Sequence, residues 1–241
     1  MSTHCRGIVF KAVKYGDSSL IVKIFSKDFG LQTYLIKGAF SRNSKYKSAL
    51  FQPMTLIEFE SRIRPGKDIQ YMSEIMVETA YFSIPFDMRK NAIVLYISEL
   101  LNKAIQEEES NINLYGFIHK SMEWLDLHQG SIADFPVFFT FELSRYLGFY
   151  PKPEKNCTTD YFDLLNGMFV QSVPSHPYYT VQPLTNCLLS LYNLPLEQIE
   201  TLDFSNDTRR QLINILVDYY QLHLPSFKGL KSHEILRSVL E

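Results

Sequence analysis

The hydrophobic and polar positions of the chain change their period near residue 86. Before that point apolar and polar residues alternate, as in Met54–Ser61, where Ile57 and Phe59 face one way and Glu58 and Glu60 the other. Such alternation is typical of strands with one buried face. The pattern predicts five strands in the first 80 residues, over Arg6–Tyr15, Ser18–Ser26, Leu31–Lys37, Met54–Ser61 and Ile69–Glu78.

Five closely spaced strands with short turns favour a small closed barrel, because closure leaves no strand edge unpaired. One longer connection follows the third strand, which is typical of a five-stranded OB-fold, and an SH3-like barrel fits the same pattern. In the fifth strand the alternation predicts one face formed by Ile69, Tyr71, Ile75 and Val77, opposite Gln70, Glu74 and Glu78.

After residue 86 apolar residues recur at the spacing of an amphipathic helix. Helices are predicted over Asp87–Gln106, from Asn111 or Asn113 to about His128, and over Asp134–Phe149, Leu184–Leu191, Asp207–Leu222 and His233–Leu240. Residues 150–182 look irregular, apart from a hairpin pattern around Asn166-Gly167. The sequence therefore predicts an α+β protein with an OB-type barrel at 1–80 and an all-helical domain at 81–241.

The net charge of −2 is unevenly distributed along the 241 residues. The first 80 residues hold 12 Lys and Arg against 7 Asp and Glu, so that any polyanion is expected to bind the barrel. The three cysteines are far apart and suit a reducing cytoplasm. No apolar run approaches the roughly 18–20 residues of a membrane span. We expect a cytoplasmic protein with no membrane partner.

The stretch after the third strand, KGAFSRNSKYKSALFQP, is basic and aromatic, and no acidic residue occurs from Phe29 to Ile57. Cations that neutralise phosphates release counterions, and exposed aromatic rings stack on unpaired bases. The nucleic-acid contacts predicted in this stretch are Lys37, Phe40, Arg42, Lys45, Tyr46 and Lys47. Strand patterning adds Arg6, Lys11, Lys14, Lys23, Arg62, Arg64 and Lys67. The alternative is an ordinary solvated loop that covers buried aromatic side chains.

The opening RGIVFKAVKYGDSSLIVKIFSKDFGLQTYLIKGAF, followed by a basic loop and ALFQPMTLIEFE, resembles the N-terminal domain of the bacterial recombination mediator RecO family. FTFELSRYLGFYP at Phe139–Pro151 and the closing HEILRSVL resemble later parts of the same family. The resemblance implies an OB-fold joined to a helical domain that binds single- and double-stranded DNA and anneals complementary strands. It also implies work with RecR, contact with the acidic C-terminal tail of the single-stranded-DNA-binding protein, help in loading RecA, and association with the nucleoid.

Many members of that family carry a four-cysteine zinc site after the LGF segment. Here Cys157 stands at the first of those positions, Asp160 replaces the second, and no further cysteine follows in 159–182. Together with His176 these residues do not supply the four ligands of a structural zinc site. We therefore expect no zinc and no other cofactor.

No catalytic constellation stands out in the sequence. There is no glycine-rich phosphate-binding loop, and the six histidines are scattered, so we expect a protein that is not an enzyme. Capture of an acidic peptide tail needs an apolar groove flanked by cations, for which Lys120 and Arg145 are the candidates. Two other functions fit the sequence: a protein-interaction scaffold of a repair complex, and an RNA-binding OB protein.

Overall fold

A computed structural model describes residues 2–40, 48–106, 109–154, 159–233 and 236. The chain forms two compact units. The first contains Met1–Asp87 and Ile97–Leu127, and the second contains Met88–Tyr96 and His128–Glu241. The domains predicted from the sequence period, 1–80 and 81–241, stay a prediction.

The first unit contains a five-stranded antiparallel sheet with the order β3-β2-β1-β4-β5. Its strands are β1 Thr3–Tyr15, β2 Ser19–Ser26, β3 Gly30–Ile36, β4 Leu56–Ser61 and β5 Met72–Thr79, and a 3-10 turn at Ser48–Phe51 precedes β4. The sheet closes just before β5, where the Gln70 N–H donates to the Thr33 carbonyl at 2.8 Å and the Leu35 N–H donates to the Gln70 carbonyl at 3.1 Å. This parallel bridge joins the third strand to the fifth and makes the closed barrel of an OB-fold. The predicted OB-fold is confirmed.

Alternate residues of the barrel strands fill its interior, as expected for period-two patterning. The buried side chains include Val9, Leu20, Val22, Ile24, Tyr34, Ile36 and Phe59. Tyr34 and Phe59 meet edge to face, with ring centroids 5.4 Å apart. On the outer surface Phe25 packs against Phe10 and against Tyr115 of the second helix, so that this helix covers part of the barrel wall.

The fifth strand departs from the predicted alternation. Glu74 has a φ of +49°, and the pairing of β4 with β5 shifts register between Glu58 and Glu60. Such irregularities re-aim the side chains on either side of them. Ile75 is buried as predicted, whereas Gln70 is buried and Tyr71 is exposed, the reverse of the predicted arrangement.

The helices follow the predicted order and nearly the predicted bounds. They are α1 Met88–Ala104, α2 Ile112–Leu127, α3 Phe135–Tyr146, α4 Leu184–Ser190 and α5 Asn206–His223, with a 3-10 segment at Leu196–Thr201. Asn111 caps α2, because its Oδ1 accepts from the Leu114 N–H at 3.0 Å. Most of the predicted final helix lies outside the described residues. No helix in the described part of the chain has the length and apolar character needed to cross a membrane.

Within the second unit, four short strands occupy the segment predicted to be irregular. They are β6 Lys152–Pro153, β7 Tyr161–Asp163, β8 Met168–Val170 and β9 Tyr179–Thr180, in the order β6-β8-β7-β9. The predicted hairpin is confirmed, since β7 and β8 pair across the turn at Asn166-Gly167. Phe162 and Phe169 are buried there, and Phe162 contacts Tyr219 of α5. Apolar packing therefore holds this region together.

Candidate nucleic-acid interface

Three chain segments place alternating cations and aromatic rings on the surface of the barrel. The Lys14 ammonium of β1 lies 5.7 Å from the centre of the Phe40 ring. The Lys37 ammonium lies 5.7 Å from the centre of the Tyr71 ring, and the Arg64 guanidinium carbon lies 4.7 Å from the same ring. Lys37 and Phe40 belong to one turn after β3, so the main chain of that turn links the Lys14–Phe40 pair to the group around Tyr71. We call Lys14, Phe40, Lys37, Tyr71 and Arg64 the cation–aromatic row.

The two rings of the row are accessible to a ligand. Phe40 keeps 46 % of its surface exposed and Tyr71 keeps 43 %, although most large aromatic side chains of the barrel are buried. The three cations of the row are exposed as well. A positively charged surface with accessible rings is the arrangement that proteins use to bind single-stranded nucleic acid.

Gln70 fixes the loop that carries Arg64. Its buried side-chain amide accepts from the Arg64 N–H at 2.9 Å and donates to the carbonyls of Arg64 at 3.1 Å and Lys67 at 2.7 Å. The Arg64 guanidinium donates to the Ile69 carbonyl at 3.1 Å. Because the main chain of Gln70 also closes the barrel, the barrel itself holds Arg64 and Tyr71 in position.

Two further lysines face each other on the outer side of β1 and β2. Lys11 is directly opposite Lys23 in the antiparallel pair, and Lys23 is opposite Thr33 on β3. Like charges in such positions repel and destabilise a sheet. The face of the second and third strands, together with the β1–β2 and β4–β5 loops, is also where OB-folds bind oligonucleotides. An anion on this face would relieve the repulsion.

Among the residues that the structure describes, most of the predicted cations of the barrel have no acidic partner. Within the described ranges, no carboxylate forms an ion pair with Lys11, Lys14, Lys23, Lys37, Arg62, Arg64 or Lys67. Arg6 differs, since its Nε lies 3.0 Å from Glu58 Oε1 and 3.4 Å from Glu78 Oε1. A phosphate would have to compete with these carboxylates for Arg6, and the structure does not bring Arg6 into the cation–aromatic row.

The basic loop itself falls largely outside the described residues. Arg42, Lys45, Tyr46 and Lys47 lie in 41–47, so their predicted role stays a prediction. Arg62 and Lys67 are exposed on the loop between β4 and β5.

Tyr71 is the functional candidate that the sequence pattern missed. The alternation assigned Tyr71 to the same face as the buried Ile75, and the irregularity at Glu74 breaks that relationship. The signal that points to it is its place in the chain: it is the first aromatic residue after a loop that carries Arg62, Arg64 and Lys67.

A cleft of about 420 Å³ lies beside the β4–β5 loop. Arg64 and Lys67 line it together with Asp28 and Asp68. Its mixed charge does not favour a polyanion, because the two carboxylates would repel a phosphate. The interior of the cleft is therefore a poor site for nucleic acid, although Arg64 and Lys67 at its wall remain candidate contacts.

The two candidates for peptide binding have different surroundings. Lys120 is exposed on α2 of the first unit. Arg145, on α3 of the second unit, is held by Glu142, donates to Asn193 Oδ1 at 3.0 Å, and stacks on Tyr150 with 3.7 Å between the guanidinium carbon and the ring centre. Much of the hydrogen-bonding capacity of Arg145 is thus already used. Peptide binding by either residue stays a prediction.

The residues of the expected zinc region do not form a recognisable ligand set. Cys157 lies outside the described residues, and the His176 ring is 3.3 Å from the carboxylate of Asp163. Among the residues whose structure is described, no three His, Cys, Asp or Glu side chains are grouped as metal ligands would be. The expectation of a zinc-free protein stays a prediction.

Comparison with known proteins finds one protein family over nearly the whole chain. The family model described as Recombination protein O N terminal matches residues 1–81, and that described as Recombination protein O C terminal matches residues 85–234. The chain is 36 % identical over 236 residues to the DNA repair protein RecO of Bacteroides fragilis, with 98 % of both chains covered. It is 35 % identical over 244 residues to that of Flavobacterium psychrophilum, with 99 % of both covered. It is 33 % identical over 233 residues to that of Phocaeicola vulgatus, with 97 % of both covered.

Proposed function

Because the chain belongs to the RecO family of recombination and DNA repair proteins, we propose that it is a mediator that binds single- and double-stranded DNA on its barrel. The cation–aromatic row is the observation that carries the proposal. Its three cations have no ion-pair partner among the described carboxylates, and its two rings are exposed. The cross-strand pair of Lys11 and Lys23 adds two more positive charges on β1 and β2.

DNA binding of this kind is sufficient for strand annealing. Lysine and arginine side chains neutralise phosphates and release counterions, which lets two complementary strands approach each other. Base pairing then drives the reaction, and no covalent bond is made or broken. The protein therefore acts in annealing without being an enzyme.

The proposed partners are those that membership of the RecO family implies. The protein works with RecR, contacts the C-terminal tail of the single-stranded-DNA-binding protein, and through these helps to load RecA. It acts in the cytoplasm, in association with the nucleoid. Lys120 and Arg145 remain the candidates for contact with the acidic tail, which requires cations beside an apolar groove.

The test is the salt dependence of DNA binding, measured by fluorescence anisotropy of a labelled single-stranded oligonucleotide. Each phosphate contact on a single strand contributes about 0.7 to the slope of log K against log salt concentration. The double variant Lys37→Gln, Arg64→Gln should bind more weakly and lose about 1.4 from that slope. The matched control Lys152→Gln, Lys228→Gln removes two exposed lysines of the second unit and should keep the slope.

The basic loop is tested in the same assay. The triple variant Arg42→Glu, Lys45→Glu, Lys47→Glu should abolish binding while its circular dichroism spectrum stays that of the wild type. Binding that survives the triple change would remove the loop from the interface. A wild-type protein that binds no DNA at any salt concentration would refute the proposal and favour the scaffold function.

A further inference from the structure

Tyr71 is held more firmly than an ordinary surface tyrosine. The preceding residue, Gln70, is hydrogen-bonded to β3 through its main chain and to the β4–β5 loop through its side chain. The carbonyl of Tyr71 accepts from the hydroxyl of Ser61 at 3.3 Å. The ring is therefore presented to solvent from a fixed backbone, and little main-chain entropy remains to be lost when a ligand contacts it.

The cations beside the ring suit a nucleotide. The Lys37 ammonium, at 5.7 Å from the ring centre, is near the outer limit of about 6 Å for a cation–π contact, so the ring gives up little when a base takes its place. A displaced ammonium on a four-carbon stem can then pair with a phosphate of the same strand. Arg64, at 4.7 Å from the ring, carries planar guanidinium donors that match phosphate geometry.

These contacts treat single strands and duplexes differently. Phosphates are available in both, so Lys37 and Arg64 contribute to binding of either form. The face of a base is available only when the base is unstacked, because in a duplex the bases are stacked on each other. An aromatic platform therefore adds affinity for single strands alone.

We propose that Tyr71 stacks on an unpaired base and gives the barrel a contribution to single-strand affinity that duplex DNA does not share. This role rests on the proposed function, since it assumes that the strand lies along the cation–aromatic row. The proposal adds Tyr71, which lies outside the basic loop, to the predicted DNA contacts.

The experiment compares the dissociation constants of a labelled oligothymidine and of a labelled duplex of equal length for the wild type, Tyr71→Ala and Tyr71→Phe. Because Tyr71→Ala loses one stacked base, its dissociation constant for oligothymidine should rise about 5- to 150-fold. Its dissociation constant for the duplex should change less than about twofold. Tyr71→Phe keeps the ring and should bind both probes like the wild type. Tyr178→Ala, which removes a tyrosine of similar exposure in the second unit, is the matched control and should change neither constant.

The outcomes separate this inference from the proposed function. Equal losses on oligothymidine and duplex in Tyr71→Ala, or no loss on either, would overturn the stacking role while leaving DNA binding intact. Failure of Tyr71→Phe to keep single-strand binding would overturn it as well, because the ring would then not be what matters. A wild type that binds neither probe would refute the proposed function itself. Thermal unfolding of each variant confirms that folded protein is being compared.

Discussion

The side-chain amide of Gln70 makes two hydrogen bonds to the main chain of Arg64, one in each direction, at 2.9 and 3.1 Å. The same amide also donates to the Lys67 carbonyl at 2.7 Å. One buried polar side chain thus shapes the β4–β5 loop at the point where the main chain closes the barrel.

Replacement of Gln70 with Met should lower the free energy of unfolding by about 1–3 kcal/mol, because it keeps the length of the side chain and removes its hydrogen bonds. Urea unfolding measures the change. Gln52→Met alters an exposed glutamine and is the control, with an expected effect within about 0.5 kcal/mol. Equal stability of Gln70→Met and the wild type would show that the loop does not depend on this amide.

The Asp126 carboxylate binds the chain that follows the barrel, because it accepts from the N–H groups of Phe82 at 2.7 Å, Ser83 at 2.8 Å and Ile84 at 2.9 Å. Burial alone would raise the pKa of this carboxyl, but the three amide hydrogen bonds hold the pKa below its usual value of 3.8. A depressed folded pKa stabilises the protein above the unfolded pKa. That stabilisation is lost as the pH falls through the folded value.

Asp126→Asn should therefore lower the free energy of unfolding at pH 7 by about 1–3 kcal/mol, since charged acceptors make the stronger hydrogen bonds. The difference from the wild type should shrink as the pH falls below 3.8, the usual carboxyl value. Urea unfolding from pH 7 to pH 3 measures both quantities. Asp17→Asn, at an exposed turn, should change little at any pH. A difference that is constant across this range would contradict the proposed charge effect.

Two glycines of the first unit should respond in opposite ways to a methyl group. A Cβ at Gly7 would lie 2.5 Å from Ile24 Cγ2 and 3.0 Å from Phe59 Cε1, both in the packed core, whereas a Cβ at Gly116 of α2 would meet no atom within 4 Å. Gly7→Ala should cost about 1–3 kcal/mol through overpacking. Gly116→Ala should stabilise by about 0.5–1 kcal/mol through helix propensity. The shift of the urea midpoint in each variant checks the two signs.

The existence and order of the elements could be predicted because hydrophobic period is a local property of the sequence. The barrel strands and the main helices follow from it, and so does the hairpin at Asn166-Gly167. The exposure of Tyr71 and the burial of Gln70 could not be predicted in this way. They depend on a backbone irregularity at Glu74 and on pairing with Thr33 and Leu35, which are distant in sequence.

The same distinction holds for the candidate site. Charge and aromatic content marked Lys37 and Phe40 as candidates, and strand patterning added Arg64, without any knowledge of their positions in the fold. The ion pairs of Arg6 with Glu58 and Glu78 come from strands that are distant in sequence, so the pattern within one strand counted Arg6 as an available cation.

The Lys11–Lys23 pair gives a prediction in which stability and binding change in opposite directions. Lys23→Glu replaces a repulsive cross-strand pair with an attractive one and should stabilise the protein by about 0.2–1 kcal/mol. The same change removes a cation from the face of β2 and should weaken binding of single-stranded DNA, with a loss of about 0.7 or more from the salt slope. Urea unfolding and anisotropy titrations measure the two effects. Lys228→Glu makes an identical charge change on the second unit and should leave the salt slope unaltered. If Lys23→Glu gained stability but kept its affinity for DNA, the lysine pair would lie outside the strand's path and the interface would be confined to the cation–aromatic row and the basic loop.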